Sequence, residues 1–152
     1  MSQLAVHPGG PLGGRVRVPG DKSISHRAVM FGALAEGESR IEGFLPSGDC
    51  LATLRCLEAL GVEIDRHDET TLTVHGCGLR GLREPKESLH CARSGTTMRL
   101  MTGILAGQAF DCTLTGDPQL ESRPMRRITE PLRSMGAEIK DVDGRAPLVV
   151  HG

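Results

Sequence analysis

Apolar residues in the first half of the chain recur with two periods, one typical of helices and one typical of strands. After Arg27 the chain is almost wholly apolar through Ala35, with Gly37 just beyond, which predicts a buried helix that Ser23 caps. The next positions predict a strand over Ser39–Phe44, a second helix opened by Ser47 or Asp49 and closed by Gly61, and two strands over Val62–Asp65 and Thr70–His75.

The second half of the chain shows the same order of patterns. Its positions predict a helix opened by Ser94, a strand over Asp111–Thr115, a helix with Pro124 in its first turn and Gly136 at its end, and a hairpin of Ala137–Lys140 with Leu148–Val150. The pair Asp143-Gly144 favours a tight turn for this hairpin, and Pro147 suits an edge strand.

Short sequence matches indicate that one structural unit occurs twice. Gly32–Ala35 recurs as Gly103–Ala106, Leu60–Ile64 as Met135–Ile139, and Val74–Gly76 as Val150–Gly152. We therefore assign residues 21–85 to a first repeat unit and residues 86–152 to a second. The predicted fold class is α+β, built from repeated helix-strand-helix-hairpin modules. Ahead of them, Arg15–Val18 alternates charge with valine and predicts a short leading strand.

Composition narrows the classes of function. The net charge of −1 gives no argument for a nucleic-acid partner or an anionic membrane, and no apolar run approaches membrane-spanning length. Five cysteines, an odd number without a C-x-x-C pair, predict free buried thiols in a reducing compartment, so the cytoplasm is the expected location. The six histidines show no spacing typical of a metal site, and we expect neither a metal nor a cofactor.

A candidate anion site lies in Pro19–Arg27, where a glycine turn opens into the first predicted helix. Lys22, Ser23 and Arg27 place an ammonium, a hydroxyl and a guanidinium near a helix N-terminus, where free N–H groups and the helix dipole favour anions. Aspartate precedes the lysine where a P-loop requires glycine, so this is not a Walker A loop. His26 is expected to be packed or at the surface, not a catalytic base.

The second unit offers a counterpart to this site. Gly95, Thr96 and Thr97 allow close backbone approach and supply hydroxyl donors at a helix start, as a nest for an anionic oxygen requires. If the symmetric units aim their helix starts at one crevice, Lys22, Arg27, Gly95 and Arg123 converge, Arg123 preceding a third helix. Arg99 suits either this site or a solvated helix face, and Asp49 suits a helix cap.

Three segments, Pro19–Arg27, Ser94–Arg99 and Gly116–Pro124, resemble the 5-enolpyruvylshikimate-3-phosphate synthase family. The resemblance spans the whole chain. It implies an α/β prism of two domains, each of three βαβαββ units, of which this chain would hold two together with the leading strand. It also implies that residues 1–20 are a leading strand and hinge belonging to the other domain. The implied reaction joins phosphoenolpyruvate to shikimate 3-phosphate and releases phosphate, in aromatic amino acid biosynthesis.

By this resemblance, Lys22 contacts both substrates, and Ser23 and Arg27 bind shikimate 3-phosphate through its carboxylate. Gly95 and Arg123 bind phosphoenolpyruvate, since a guanidinium matches a planar oxyanion. Further candidate site residues are Asp49, Thr96 and Arg99. The family usually has asparagine where Arg93 stands, so this loop departs from the pattern.

The resemblance places the family's acid–base residues beyond Gly152, so no catalytic residue is expected within this chain. We therefore expect an N-terminal part of the enzyme, inactive alone and dependent on the missing C-terminal portion. Two other interpretations stay open. One is a fragment of the sister enolpyruvyltransferase that acts on UDP-N-acetylglucosamine, which normally has asparagine after the lysine. The other is a non-catalytic anion-binding module of the same fold.

Overall fold

A computed structural model describes residues 4–11 and 13–152. The helices are α1 (Lys22–Leu34), α2 (Gly48–Ala59), α3 (Gly95–Leu105), α4 (Pro118–Glu121) and α5 (Arg126–Ser134). The strands are β1 (Glu36–Glu42), β2 (Glu63–Arg66), β3 (Thr71–Cys77), β4 (Leu89–His90), β5 (Cys112–Thr115), β6 (Glu138–Val142) and β7 (Arg145–His151). The predicted α+β class is confirmed.

The strands form two sheets of related topology. The first has the order β1-β3-β2 with antiparallel pairing throughout, and the second has the order β4-β5-β7-β6. Strands β5, β7 and β6 pair in the same antiparallel arrangement as β1, β3 and β2. The short strand β4 adds a parallel neighbour to β5. The second sheet therefore has one strand more than the first.

Helices, strands and connecting segments all contribute to the core. Helix α1 packs on β3 and β1, α2 packs on α1 and α3, and α3 packs on α5 and β7. Because the chain lacks Trp and Tyr, leucine, methionine, valine and cysteine fill this core, and Phe44 is its only fully buried aromatic residue among those described. The starts of α1, α2 and α3 are thereby brought to one region.

Local capping chemistry fixes the helix starts. Ser47 caps α2 and Ser94 caps α3, as predicted. Helix α1 differs, because Asp21 and not Ser23 is its cap: Asp21 Oδ1 accepts a hydrogen bond of 2.7 Å from the Ile24 amide. The helix begins two residues earlier than predicted, and Ser23 stands exposed in its first turn.

The leading segment forms no strand in the described part of the chain. The predicted strand Arg15–Val18 is irregular, with Val16 87% and Val18 75% exposed. A strand requires hydrogen bonds from a neighbouring strand, and no described strand pairs with this segment. Residues 1–3 and 12 of the predicted leading segment 1–20 lie outside the described residues.

Two proline predictions are wrong. Pro124 lies before α5 and not in its first turn, because the Met125 amide donates to the carbonyl of Gly144 and ties the chain to the hairpin turn. Pro147 is on β7, which has neighbours on both sides. It is tolerated there because pairing with β5 starts only at Leu148, and the register with β6 shifts between Lys140 and Val142.

The hairpin turn itself follows the prediction. Asp143 and Gly144 connect β6 to β7, and both have positive φ angles, 53° and 77°, as a two-residue type I′ turn requires.

The cysteines agree with the prediction in part. Cys50, Cys56, Cys91 and Cys112 are free and buried, but Cys77 is exposed, because it ends β3 at the margin of the sheet. Within the described ranges, the helices are all too short or too polar to cross a membrane.

Candidate anion-binding site

The starts of α1 and α2 lie side by side. Lys22 Nζ forms an ion pair with the carboxylate of Asp49, whose side chain is 28% exposed. The Lys22 carbonyl also accepts a weak hydrogen bond from the Cys50 thiol. Asp49 is therefore not the cap of α2 but a first-turn carboxylate that neutralises the nearest ammonium.

The start of α3 joins this pair. The Thr97 hydroxyl lies 3.3 Å from the Asp49 carbonyl oxygen, which places the first turn of α3 against the first turn of α2. Three helix N-termini therefore meet, and each contributes the unpaired amides and the positive dipole end of a helix. The α1 start carries the Asp21 carboxylate as its cap and the α2 start carries Asp49, whereas α3 has no acidic residue there and so keeps the strongest attraction for an anion.

Two guanidinium groups lie over Gly95. A Cβ atom added at Gly95 would stand 2.7 Å from Arg99 Nη1 and 3.4 Å from Arg123 Nη1. Only glycine leaves that space, so the backbone amide, Arg99 and Arg123 all border the same small volume. Arg99 Nη2 also lies 3.4 Å from the carbonyl oxygen of Pro124, which holds the two arginine-bearing segments together.

Arg99 is not a solvated surface residue. Its side chain is half-buried, and its Nε atom is buried without a hydrogen-bond partner among the described residues. Arg123 is exposed and follows α4, so it belongs to the junction of α4 and α5 and not to a helix start. The predicted third helix start at Arg123 is therefore wrong, because α5 begins only at Arg126.

The remaining candidate residues differ in how they relate to these contacts. Ser23 and Arg27 are exposed on α1, one helical turn apart, and are not part of the chain of contacts from Lys22 to Arg123. Thr96 is half-buried beside Gly95. Arg93 is turned away, because its Nε lies 3.3 Å from Asp117 Oδ2, and the unusual arginine in this loop is thus neutralised by a local carboxylate.

Sequence reasoning assigned the Thr97 hydroxyl to the anion nest, whereas the structure places it beneath the site. Thr97 and Ser94 are fully buried, and the Thr97 hydroxyl points inward to Ser94, 2.7 Å away. His26 is also fully buried, as expected of a packed histidine. Burial lowers its pKa below the usual 6.5, and the charge of Lys22 lowers that pKa further, against the opposing effect of Asp49. Helical phase could have indicated that Thr97 faces the interior, since it lies three residues after the Ser94 cap.

A separate cluster lies on the outer face of the first sheet. Glu63, Asp65 and His75 bring ligand atoms within 4.8 Å of one another, a grouping that histidine spacing did not indicate. His75 Nε2 is 2.8 Å from Asp65 Oδ2, and this hydrogen bond raises the pKa of His75. The cluster is exposed and is satisfied by its own ion pairs, so the structure gives no further sign of a bound ion there.

Comparisons with known proteins agree on one family. A family model described as EPSP synthase (3-phosphoshikimate 1-carboxyvinyltransferase) matches residues 6–152. A 3-phosphoshikimate 1-carboxyvinyltransferase of Alkalilimnicola ehrlichii is 60% identical over 151 residues, which are 99% of this chain and 34% of the relative. One of Acidithiobacillus ferrooxidans is 55% identical over 152 residues, 100% of this chain and 35% of the relative.

A solved structure gives the same result. EPSP synthase from Acinetobacter baumannii superimposes with a TM-score of 0.87 at 47% identity, over 91% of this chain and 32% of that one. The chain thus spans about a third of the length of the proteins it matches.

Proposed function

Because this chain belongs to the EPSP synthase family, we propose that it is the N-terminal part of an enzyme that transfers the enolpyruvyl group of phosphoenolpyruvate to shikimate 3-phosphate. The observation that carries the proposal is a chain of contacts that links all three motif segments, from Lys22 through Asp49 and Thr97 to the two arginines over Gly95. Lys22 comes from the first, Gly95 and Arg99 from the second, and Arg123 from the third. The sister reaction on UDP-N-acetylglucosamine is disfavoured, since the matched relatives carry the shikimate name.

The proposed substrates suit this centre chemically. Phosphoenolpyruvate carries a phosphate and a carboxylate, and shikimate 3-phosphate carries the same two groups. In our assignment the Gly95 amide and the Arg123 guanidinium bind phosphoenolpyruvate, and Lys22 lies between the two substrates. Ser23 and Arg27 bind shikimate 3-phosphate on the exposed face of α1. Arg99 stays beneath Arg123 and adds positive charge close to Gly95.

The chain's own residues would orient the substrates and stabilise their charge. Holding two anions in contact converts a bimolecular encounter into a positioned reaction, and the fixed helix dipoles require no rearrangement as charge develops. The residues that protonate the enol and deprotonate the sugar hydroxyl are assigned to the two-thirds of the relatives that this chain does not cover. We therefore expect no turnover from this chain alone.

An apolar face supports a docking surface for the rest of the enzyme. On α1, Ile24 is 60% and Phe31 is 66% exposed, and Leu100 on α3 is 39% exposed. A groove of about 460 Å³ continues this face between the two helices, lined by Leu34 and Ile104 among others. Exposed apolar area of this kind favours burial against another part of the protein. We assign it to a third βαβαββ unit of the prism, from the part that the relatives have in addition.

The leading segment fits the same assignment. Exposed valines in Arg15–Val18 have no strand to pair with in the described chain, as expected if 1–20 belongs to the other domain of the prism. Under this proposal the chain crosses from one domain to the other at Pro19-Gly20, and 21–85 and 86–152 are two of the three units of its own domain.

A phosphate-release assay with both substrates tests the proposal. This chain alone should give no turnover, and adding the C-terminal two-thirds of a relative such as the Alkalilimnicola enzyme should restore it. Phe31→Asp should abolish the restoration, whereas Val142→Asp, at an exposed apolar position on β6, should not. Turnover by the purified chain alone would contradict the fragment assignment. Restoration that Phe31→Asp leaves intact would contradict the docking face.

A further inference from the structure

Four buried polar side chains connect the helices beneath the anion site. His26 Nδ1 lies 2.6 Å from Thr53 Oγ1, Thr53 Oγ1 lies 2.8 Å from Thr97 Oγ1, and Thr97 Oγ1 lies 2.7 Å from Ser94 Oγ. All four residues are fully buried. We call this set (His26, Thr53, Thr97 and Ser94) the buried network. It crosses from α1 through α2 to the cap of α3 and so joins the two repeat units.

The donors in the buried network follow from counting hydrogens. A threonine hydroxyl can donate one hydrogen, and that of Thr97 is taken either by Ser94 Oγ or by the carbonyl oxygen of Asp49. The hydrogen between Thr53 and Thr97 must therefore come from Thr53. The hydrogen between His26 and Thr53 must then come from Nδ1 of His26. The hydrogen bonds run in one direction, from α1 to α3, and His26 is fixed as the Nδ1–H tautomer.

The other nitrogen of His26 agrees with this assignment. Nε2 is buried and has no hydrogen-bond partner among the described residues. In the Nδ1–H tautomer Nε2 carries a lone pair and no hydrogen. The opposite tautomer would bury an N–H donor at Nε2 without an acceptor, and it would also reverse the direction of the hydrogen bonds in the network. The ring is neutral at pH 7, because burial and Lys22 lower its pKa.

The far end of the network sets the first turn of α3. Ser94 Oγ accepts a hydrogen bond from the amide of Thr97, at 3.1 Å, and lies 2.7 Å from its hydroxyl. The same hydroxyl lies 3.3 Å from the carbonyl oxygen of Asp49, the residue that pairs with Lys22. The position of the Gly95 amide relative to Lys22 thus depends on contacts made by buried hydroxyls.

We propose that His26, Thr53 and Thr97 are positioning residues, which hold the first turn of α3 in register with α1 so that the Gly95 amide and Lys22 act on one anion. The inference rests on the proposed function, because it concerns the same site. None of the three side chains needs to touch substrate. Their contribution is to keep the amides of the α3 start aimed at a fixed point.

Matched threonine variants of this chain test the proposal, with inorganic phosphate as the probe. Thr53→Val and Thr97→Val keep the side-chain shape and remove one network hydroxyl each. Thr102→Val is the control, since Thr102 is equally buried on α3 but bonds only the Met98 carbonyl within its own helix, at 2.7 Å. We expect the first two to weaken phosphate binding about tenfold, and the control less than about twofold.

Histidine nitrogen chemical shifts give an independent readout. We expect His26 to show a protonated Nδ1 and an unprotonated Nε2 at pH 7. His26→Asn places an amide donor near the Nδ1 position and should retain phosphate binding, whereas His26→Leu should lose it about as Thr53→Val does. A protonated Nε2 in the wild-type chain would overturn the assignment of donors.

Amide hydrogen exchange separates failure of this inference from failure of the proposed function. If the wild-type chain does not bind phosphate, the proposed site is wrong, and exchange at Gly95 and Thr96 still tests the network. We expect faster exchange there in Thr53→Val than in Thr102→Val, and recovery in Thr53→Ser. Equal exchange and equal affinity in these variants would overturn the proposal. If Thr97→Val does not fold, the Thr53 series carries the test alone.

Discussion

Helices α1 and α3 precede β1 and β5, which pair alike in their two sheets, but the starts of the two helices are built differently. At α3 the cap and the first turn are buried, with Ser94 and Thr97 fully enclosed. At α1 the Lys22 side chain is 46% exposed, and Arg27 is at the surface. The start of α3, which we call the cradle, is therefore enclosed by the protein, whereas the start of α1, which we call the clamp, presents its charged side chains to solvent.

The largest effect should come from the two caps. Ser94→Ala removes a buried cap and leaves the Thr97 amide without its acceptor, so we expect a loss of about 2–4 kcal/mol in the free energy of unfolding. Asp21→Ala removes an exposed cap, where water replaces the acceptor, and should cost about 1 kcal/mol. Urea denaturation of both variants measures the difference. Equal losses would contradict the distinction between cradle and clamp.

Arg123 should contribute more to the free energy of phosphate binding than Arg27 does. Arg123→Ala should lose about 1.5–3 kcal/mol of phosphate binding, the range of a charged hydrogen bond, because its guanidinium borders Gly95. Arg27→Ala should have a smaller effect on phosphate, since Arg27 lies outside the contacts around Gly95. Isothermal titration of the two variants checks the order, with Arg40→Ala on β1 as an exposed control. A larger loss for Arg27→Ala would refute it.

Phosphate should stabilise the folded chain against thermal unfolding. Arg99 and Arg123 lie close together over Gly95, and their repulsion is relieved when an anion binds. At about ten times its Kd, phosphate should add about 1.4 kcal/mol by mass action and raise the melting temperature by about 3–5 °C. Differential scanning fluorimetry measures the shift. Sodium chloride at equal ionic strength is the control and should give a smaller rise.

A methyl group at Gly95 should weaken binding without unfolding the chain. In Gly95→Ala the new Cβ meets the flexible end of Arg99 first, which can move aside. We expect stability within about 1 kcal/mol of wild type and phosphate affinity lowered about fivefold, because both guanidinium groups are displaced from the amide. Gly103→Ala, on the same helix with open space around it, provides the control. Unchanged phosphate affinity in Gly95→Ala would show that the Gly95 amide does not bind phosphate.

The smallest effect should appear in the pH dependence of stability. His26 has a lowered pKa, so between its folded pKa and the unfolded value of 6.5 the unfolded chain binds more protons. Stability should therefore fall as pH falls below about 6.5, and His26→Asn should flatten that slope. His75 has a raised pKa and acts in the opposite direction, since its stabilisation is lost as pH rises through that value. Thermal melts from pH 5 to pH 7.5 test both signs. A steeper acid slope in His26→Asn would contradict this assignment.

The sequence predicted those helix caps and turns that depend only on residues adjacent in the chain. Ser47 and Ser94 were identifiable as caps because a hydroxyl before an apolar period satisfies a free amide, and Asp143-Gly144 was identifiable as a turn because both residues tolerate positive φ. Asp21 and Ser23 are both able to cap, so local chemistry could not choose between them.

Features that depend on distant parts of the chain escaped prediction. Arg99 contacts the carbonyl of Pro124, which is remote in sequence, and Thr97 meets Thr53 of α2. The strand predicted over Arg15–Val18 has the right alternation but lacks a partner strand among the described residues. Side-chain direction and strand pairing are set by tertiary packing, which periodicity does not encode.

The ion pair between Lys22 and Asp49 has a consequence for selectivity. With no ligand present, the ammonium already has a carboxylate partner, so an incoming anion must interact with it more strongly than Asp49 does. A monovalent ion such as chloride offers no more charge than that carboxylate, whereas a dianionic phosphate does. The ion pair therefore makes Lys22 selective: monovalent anions such as chloride do not displace Asp49 from the ammonium, whereas doubly charged anions do.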